Sequence, residues 1–214
     1  MSEMNTMGIR DLEAYSVKHT KPIHPMLDEI RDYTIKHVSS PQMMVGPLEG
    51  KFLQLMCALS SARNIVEVGT FTGYSTLCFA DAVGPGGHVT TIDSNAHTSG
   101  IAQDFIHRAG FEERVSFAIG FAEEIIDEIT GPIDLAFIDA DKGNYDLYFE
   151  MLLPKIKTAG FLIFDNMLWS GGVLKPVTAE DFALAELNQK LTGDPRVENF
   201  LLPLRDGIQI VQKL

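Results

Sequence analysis

Residues 64–83 read NIVEVGTFTGYSTLCFADAV, and this stretch decides the fold. An apolar run, predicted as a strand over Asn64–Gly69, passes through a short turn with a glycine at each end into a helical pattern over Gly73–Val83. A buried strand that turns directly into a helix is typical of a parallel sheet covered by helices. The stretch therefore predicts the first strand and the first crossover helix of an α/β sheet.

The same alternation continues to the end of the chain. Further strands are predicted at His88–Asp93, Val115–Gly120, Ile133–Asp139 and Phe161–Asp165. Helical patterns lie between and after these strands, near His97–Ala109, Phe121–Ile129, Tyr145–Leu153 and Thr178–Leu191. Two alternating segments, Val197–Leu202 and Gly207–Lys213, follow as a hairpin that adds an antiparallel strand in the edge region. The pattern predicts a doubly wound, mostly parallel, seven-stranded sheet.

The N-terminal part of the chain has a helical rhythm instead. Pro25–Val38 has a predicted apolar face at Met26, Ile30, Tyr33 and His37, and a second helix is predicted near Leu48–Leu59. The apolar positions of this second helix are Leu48, Phe52, Leu55, Met56 and Leu59. Since neither an internal repeat nor a linker is visible, we expect one domain over residues 1–214, with a helical cap (1–62) before the sheet (63–214).

Composition limits the class of protein. The chain has 214 residues, 45% of them hydrophobic, and a formal net charge of −12, which disfavours nucleic acid as a partner. Its apolar runs are too short to span a bilayer, and its first ten residues do not resemble a secretory signal. The two cysteines, Cys57 and Cys78, are expected to be reduced core thiols. We therefore expect a cytoplasmic protein without a membrane or nucleic-acid partner.

The turn after the first strand indicates the kind of cofactor. A dinucleotide-binding turn would carry Gly-x-Gly-x-x-Gly, but Glu67 occupies the first glycine position and Gly73 comes one residue late. An acidic residue there repels a pyrophosphate and suits the α-amino group of S-adenosylmethionine. Asp93, which ends the second strand, is placed to bind ribose hydroxyls, in either an adenosyl or an NAD cofactor. The alternative is an ordinary tight turn with Asp93 as a helix cap.

Polar residues also end two strands that should lie side by side. Asp139 ends the fourth strand, and Asp165 and Asn166 end the fifth. Ligands of such sheets bind beyond the carboxyl ends of the strands, and these oxygen ligands suit a hard cation such as Mg²⁺. Each acid could instead cap the segment after it, but two acids and an amide together favour the metal. Lys142 is either a general base beside the ion or a surface lysine paired with Asp141.

Together the motifs resemble the cation-dependent O-methyltransferases, the family of caffeoyl-CoA and catechol O-methyltransferases. The similar stretches are Glu49–Leu53 (EGKFL), Val66–Leu77 (VEVGTFTGYSTL), Phe137–Tyr145 (FIDADKGNY), Asp165–Gly172 (DNMLWSGG) and Asp194–Gly207 (DPRVENFLLPLRDG). They cover the chain from about residue 25 to its end. The resemblance implies a Rossmann-like methyltransferase fold, preceded by N-terminal helices.

The resemblance also implies roles for individual residues. S-adenosylmethionine would be held by Val45, Glu67, Gly69, Thr70, Ser75, Asp93, Ala122 and Asp141. The divalent cation, which is Mg²⁺ or alternatively Mn²⁺ or Ca²⁺, would be bound by Asp139, Asp165 and Asn166. Lys142, with Asp139, would be catalytic. Trp169 and Ser170 would line the substrate pocket, Ser170 where the plant caffeoyl-CoA enzymes carry an asparagine.

The expected activity is transfer of a methyl group to one hydroxyl of a vicinal diol, such as a catechol-like or caffeoyl-like small aromatic molecule. The family resemblance also implies a homodimer. Two other classes stay open at this point: an NAD-dependent dehydrogenase on a similar sheet, and a binding or regulatory protein that has lost catalysis. Glu67 argues against the first, and the intact set of Asp139, Lys142, Asp165 and Asn166 argues against the second.

Overall fold

The computed structural model describes residues 9–214, with side chains from Asp11 onward. Its centre is a seven-stranded sheet in the order β3-β2-β1-β4-β5-β7-β6. The strands are β1 (Asn64–Val68), β2 (His88–Asp93), β3 (Val115–Ile119), β4 (Ile133–Ile138), β5 (Ile156–Phe164), β6 (Val197–Leu202) and β7 (Ile208–Lys213).

Helices precede the sheet and cover both of its faces. They are α1 (Ile9–Lys18), α2 (Met26–His37), α3 (Pro47–Ser60), α4 (Tyr74–Val83), α5 (Ala96–Arg108), α6 (Ala122–Glu128), α7 (Tyr145–Leu152) and α8 (Ala179–Gly193). Within residues 9–214, no helix is both long enough and apolar enough to cross a membrane.

The pairing of the strands confirms the doubly wound, mostly parallel sheet predicted from the sequence. β1 lies between β2 and β4 and is parallel to both, so the strand order reverses beside β1. The one antiparallel strand is β7, which lies between β5 and β6, one position in from the edge. β5 begins at Ile156, five residues before the predicted start, because the exposed residues Thr158 and Ala159 interrupt its apolar pattern.

The two faces of the sheet bury separate cores. On β1, Val66 and Val68 pack into the core under α6, α7 and α8, whereas Ile65 packs into the core under α2 to α5. Every residue of β1 from Ile65 to Val68 is buried. Burial on both faces is expected of a central parallel strand, and it leaves the strand ends as the place for polar chemistry.

The N-terminal helices exist as predicted, but their buried faces differ from the prediction. In α3 the buried residues are Glu49, Gly50, Leu53 and Cys57, while Leu59 is 81% exposed. The reason is close packing against α4, because a Cβ at Gly50 would lie only 2.9 Å from Cys78 Sγ. Of the predicted apolar stripe, Leu55 and Leu59 therefore face outward, whereas Phe52 and Met56 are half-buried against the core.

The predicted face of α2 is also wrong in part. Ile30 is buried as expected, but its buried companions are Leu27 and Thr34. Thr34 is drawn inward because its hydroxyl donates to the hydroxyl of Thr72, 2.9 Å away in the turn before α4. Tyr33 stays 40% exposed. A polar contact with the turn sets the rotation of this helix, and apolar periodicity alone does not record such a contact.

Candidate active site

The predicted site residues meet at one edge of the sheet. Four acids lie near or just beyond the carboxyl ends of β2, β1, β4 and β5, which are consecutive neighbours in the sheet: Asp93, Glu67, Asp139 and Asp165. In open α/β sheets this edge, near the point where the strand order reverses, is where ligands bind. The sheet thus brings the cofactor residues and the metal residues predicted from the sequence onto the same edge.

Gly69 joins the two groups through a close backbone approach. Its φ is +105°, and a Cβ at this position would lie 2.0 Å from the carbonyl oxygen of Asp139. Asp139 N in turn donates to Val68 O at 2.8 Å. Only glycine fits this crossing of the chain ends of β1 and β4. The glycine therefore fixes how far the predicted cofactor turn lies from the first predicted metal ligand.

Glu67 is a fully buried carboxylate beside the turn. Its Oε2 accepts hydrogen bonds from Thr76 Oγ1 at 2.5 Å and from Thr91 Oγ1 at 2.6 Å, and the β1–β2 register sets Thr91 opposite Glu67. Its Oε1 accepts no hydrogen bond from the residues that the structure describes. Burial raises the pKa of Glu67 to about 7. An unpartnered carboxylate oxygen of this kind fits the ammonium group of S-adenosylmethionine.

Asp93 organises the same turn. Its Oδ2 accepts from the backbone N–H groups of Thr70 and Phe71, at 3.0 and 2.8 Å, and its Oδ1 accepts from Asn95 N at 2.8 Å. The Thr70 hydroxyl oxygen lies 2.6 Å from that of Thr91. Asp93 thus has the structural role of a turn cap. Each carboxylate oxygen still has capacity for a further donor, so binding of ribose hydroxyls stays a prediction.

The predicted metal ligands Asp139, Asp165 and Asn166 form an acidic group at the ends of the adjacent strands β4 and β5. Asp165 is 4% exposed, and its pKa is raised to about 8, first by burial and then by the negative charges of Asp139 and Glu49. Asn166 follows with φ +61°, and its backbone N–H donates to Asp165 Oδ1 at 2.7 Å. Such a donor set fits a hard dication, which would relieve the repulsion between the carboxylates.

The acidic group offers few side-chain ligands to an ion. In the part of the chain from residue 9 onward, no three His, Cys, Asp or Glu side chains are grouped closely enough to hold an ion. Asp139, Asp165 and Asn166 supply two carboxylates and one amide, which would leave positions open for water or substrate oxygens.

Lys142 lies inside the site and not on the surface. The residue is 8% exposed, and its Nζ donates to Asp139 Oδ1 at 2.9 Å and to the Tyr145 hydroxyl at 2.5 Å. Tyr145 in turn donates to the carbonyl oxygen of Asp165 at 3.2 Å. The ammonium also lies 5.8 Å from the centre of the Trp169 ring. The surface pairing of Lys142 with Asp141 that was left open above is therefore wrong.

The carboxylate of Asp141 accepts hydrogen bonds from side chains that follow it in the chain. Its Oδ1 accepts from the Tyr148 hydroxyl and its Oδ2 from Asn144 Nδ2, both at 2.6 Å, and the residue is exposed. Its predicted contact with the cofactor stays a prediction. The Lys142 and Asp141 positions show how adjacent residues at the end of β4 separate into one buried and one solvent-facing group.

The other predicted contacts lie around the rim of the same edge. Val45 is buried just before α3, Ser75 is buried in the first turn of α4, and Ala122 begins α6. Trp169 is half-buried and Ser170 is exposed in the loop after β5, with φ of +46° and +50°. Their proposed contacts with cofactor and substrate stay predictions.

Two cavities elsewhere do not include any of these residues. One, of about 430 Å³, lies between α2 and α5 and is lined by Tyr33, His97 and Phe105, among others. The second, of about 240 Å³, lies between the α1–α2 connection and the start of α3. We assign the site to the strand ends because the buried acids and Lys142 are concentrated there, whereas the second cavity is lined by one buried titratable group, Tyr74.

Several residues of the site were missed in the sequence. Tyr145 stands within the quoted stretch Phe137–Tyr145 but was given no role, although its buried hydroxyl links Lys142 to Asp165. Burial raises its pKa well above the usual value, so it stays a neutral donor. Glu49 and Arg205, which pair beside the acidic group, were not assigned either. The two residues are 156 positions apart, so no local sequence pattern indicates that they pair.

Comparison with known proteins agrees with this geometry. The sequence profile of the O-methyltransferase family matches residues 15–214. Caffeoyl-CoA O-methyltransferase 2 of Populus trichocarpa is 35% identical over 203 residues, which are 88% of this chain and 81% of the relative. An O-methyltransferase from Bacillus cereus, solved in complex with SAH, is 29% identical with a TM-score of 0.88, covering 95% of this chain and 97% of that one.

A methyltransferase from Podospora anserina, also solved with SAH, is 22% identical and superposes with a TM-score of 0.91 over all of this chain and 98% of the other. At that identity the likeness concerns the fold alone. The family match and the Populus relative nevertheless confirm the resemblance found in the sequence motifs. The chain therefore belongs to the family of S-adenosylmethionine-dependent O-methyltransferases.

Proposed function

We propose that this enzyme methylates one hydroxyl of a vicinal-diol aromatic molecule and that it requires a divalent cation to do so. The observation that carries the proposal is the burial of Asp165 beside Asp139, with the pKa of Asp165 raised to about 8 by burial and by its acidic neighbours. A fold gains nothing by burying like charges together unless a cation or a proton offsets them. A bound dication offsets them and leaves coordination positions for two adjacent hydroxyls.

The cofactor half of the proposal rests on Glu67. S-adenosylmethionine, when bound, supplies the methyl group as an electrophilic sulfonium. Glu67 Oε1, which is buried and without a partner in residues 9–214, is suited to accept from its ammonium group. The first turn of α4, with Ser75 at its start, directs backbone N–H groups toward the position expected for the carboxylate. Asp93 would contribute to the ribose contact.

The acceptor half of the proposal concerns the proton of the acceptor hydroxyl, which Lys142 would remove. A phenol has a pKa of about 10 and is a poor nucleophile at neutral pH. A divalent cation held by Asp139, Asp165 and Asn166 would stabilise the oxyanion of the acceptor. Lys142 Nζ is held by Asp139 and by the Tyr145 hydroxyl, and its neutral amine form would be the group placed to accept the proton. Trp169 would then lie along the aromatic ring of the acceptor.

The activities for which two plant relatives are named support a diol acceptor. The Populus and Arabidopsis thaliana relatives are caffeoyl-CoA O-methyltransferases, and a caffeoyl group carries two neighbouring phenolic hydroxyls. Ser170, the residue proposed to contact substrate in place of an asparagine, is exposed beside Trp169. We therefore propose the diol as the shared feature and leave the rest of the acceptor open to experiment.

We also propose that two copies of the chain associate in the cytoplasm. Leu55 and Leu59 are 51% and 81% exposed on the outer face of α3, where apolar side chains in such number favour contact with a partner. Cys57 and Cys78 are buried and unbridged, which suits a reducing compartment. Light scattering tests the dimer: Leu55→Glu/Leu59→Glu should give monomers, and a wild-type monomer would contradict the proposal.

The experiment that tests the activity is a screen with methyl-labelled cofactor. Catechols, caffeoyl esters and hydroxylated flavonoids are offered with Mg²⁺ and with excess chelator, and each diol is matched with its monohydroxy analogue. Label should enter the diols only, and chelator should abolish the transfer until Mg²⁺ or Mn²⁺ is restored. Full transfer in excess chelator would overturn the metal requirement, and equal use of monohydroxy analogues would overturn the diol requirement.

A further inference from the structure

An ion pair between a buried carboxylate and a guanidinium that is 33% exposed joins the N-terminal helices to the C-terminal hairpin. Glu49 lies in the first turn of α3, and its side chain is 2% exposed. Its Oε2 accepts from Arg205 Nη1 and from the backbone N–H of Gly46 at 2.9 Å. A Cβ at Gly46 would lie 3.0 Å from Arg205 Nη1. The guanidinium therefore packs directly against the backbone that leads into α3, 156 residues away in the chain.

The turn that carries Arg205 also holds the loop after β5. The carbonyl oxygens of Asp206 and Gly207 accept from Leu168 N at 2.8 Å and Met167 N at 2.9 Å, and Asp206 Oδ1 accepts from Ser170 N. Arg205 has φ +47°, a left-handed conformation that a non-glycine residue adopts only when its surroundings fix it. The turn is thus a rigid connection between Glu49 and the loop over residues 166–170.

Both ends of this connection carry residues of the site. Val45, a proposed cofactor contact, precedes Gly46, and the loop after β5 contains Asn166 and Trp169, the proposed metal ligand and substrate contact. One ion pair therefore spans from the cofactor side of the site to its acceptor side.

We infer that Glu49 and Arg205 are positioning residues that fix the acceptor loop relative to the cofactor segment, so that acceptor oxygen and methyl group are aligned for transfer. This inference rests on the function proposed above. Rates of such reactions fall steeply with small misplacements, by up to about 10²-fold for 1 Å. Neither side chain needs to touch a reacting atom, because the effect passes through residues 45–46 and 166–170.

Breaking the pair also affects the stability of the fold, and an experiment must separate this effect from positioning. Loss of Arg205 alone leaves Glu49 as a buried, unpaired carboxylate, which destabilises the fold by itself. The double variant Glu49→Gln/Arg205→Gln removes both charges and keeps an amide to accept from Gly46 N. It should recover the stability lost in Arg205→Gln and yet lack the charged connection.

The test compares four variants: Arg205→Gln, Arg205→Lys, the double variant, and Arg196→Gln as a matched control. Arg196 pairs with Glu150 and Asp194 at the other end of the hairpin, far from the site along β6. We expect kcat for methyl transfer to fall between roughly 10-fold and 100-fold in Arg205→Gln and in the double variant. The cofactor Kd should change less than threefold in both, and Arg205→Lys should restore most of kcat. Arg196→Gln should behave as the wild type.

Backbone hydrogen exchange gives a readout that does not depend on turnover. In Arg205→Gln and in the double variant, exchange should quicken both at residues 45–50 and at residues 166–170, but not in the control. If kcat recovers with stability in the double variant, or if only one of the two segments responds, the positioning role is overturned. If the wild type methylates no diol, the proposed function fails, while exchange in the two segments still decides whether the pair couples them.

Discussion

The two halves of the site bury their acids in different ways. On the cofactor side, Glu67 is surrounded by the hydroxyls of Thr76 and Thr91, and Asp93 accepts from three backbone N–H groups. On the acceptor side, burial and the negative charges of Asp139 and Glu49 raise the pKa of Asp165, while Lys142 contacts Asp139 and Arg205 contacts Glu49. The acids of the cofactor side accept hydrogen bonds mainly from neutral donors, whereas the acceptor side contains several charged side chains of both signs.

This difference indicates what each half needs from outside the chain. Neutral donors hold a carboxylate in place without fixing its charge, so Glu67 is ready for an ammonium group but does not depend on one to fold. Buried acids repel one another, which favours the binding of a dication on the acceptor side, as proposed above. We therefore expect metal loss to affect turnover strongly and cofactor binding little.

Removal of a proposed metal ligand should have the largest effect. Asp165→Ala should lower kcat by roughly 10³-fold or more, because the oxyanion loses its stabilising cation. The cofactor Kd, measured by calorimetry, should change by less than about threefold, because its proposed charged contact, Glu67, lies at the end of β1. The exposed Asp127→Ala on α6 is the control. A large loss of cofactor affinity in Asp165→Ala would show that the two halves are not separable.

Lys142→Ala should have the next largest effect, a loss of roughly 10²- to 10⁴-fold in kcat. Metal affinity should persist, since Asp139 keeps both oxygens for the ion. The rate should recover in part at higher pH, or with a more acidic diol, because solvent hydroxide can take the proton instead. The control is Lys36→Ala on the exposed side of α2. If neither condition restores the rate, Lys142 positions the acceptor and is not the base.

How far the sequence predicts the molecule can be judged from the same two halves. The convergence of Glu67, Asp139 and Asp165 was predictable, because the carboxyl ends of adjacent parallel strands share one edge and apolar runs locate those ends. The orientation of α3 was not, because Gly50 sets its approach to α4 and Glu49 is buried by an ion pair. The periodicity of the sequence shows which residues are apolar, but it does not show that Glu49 pairs with a residue 156 positions away in the chain.

Glu67→Gln tests the cofactor half and should have a moderate effect. The amide keeps the size of the side chain and can still accept from Thr76 and Thr91, but it cannot pair its charge with an ammonium group. A hydrogen bond to a charged group contributes about 1.5–3 kcal/mol, so the cofactor Kd should rise roughly 10- to 100-fold. In the wild type, affinity should increase as pH rises through about 7, where Glu67 ionises. The exposed Glu128→Gln is the control, and an unchanged Kd in Glu67→Gln would remove this residue from the cofactor site.

The last effect expected is on stability without cofactor, and its dependence on pH shows whether the buried carboxylate of Glu67 is protonated in the folded protein. Burial raises the pKa of Glu67 from 4.5 to about 7, so between these values the folded protein keeps a proton that the unfolded chain has lost. The free energy of unfolding of the wild type should therefore fall as pH rises across this window, by at most about 3 kcal/mol.

Glu67→Gln cannot lose this proton, so it should equal the wild type near pH 5 and be the more stable protein near pH 8. Urea unfolding at the two pH values measures the difference, in which the titration of Asp165, common to both proteins, cancels. A difference that does not change with pH would mean that the surrounding hydroxyls keep Glu67 ionised throughout. Glu67 would then be ionised before the cofactor binds. The two halves of the site would differ only in the groups that contact their acids, and not in the protonation of those acids.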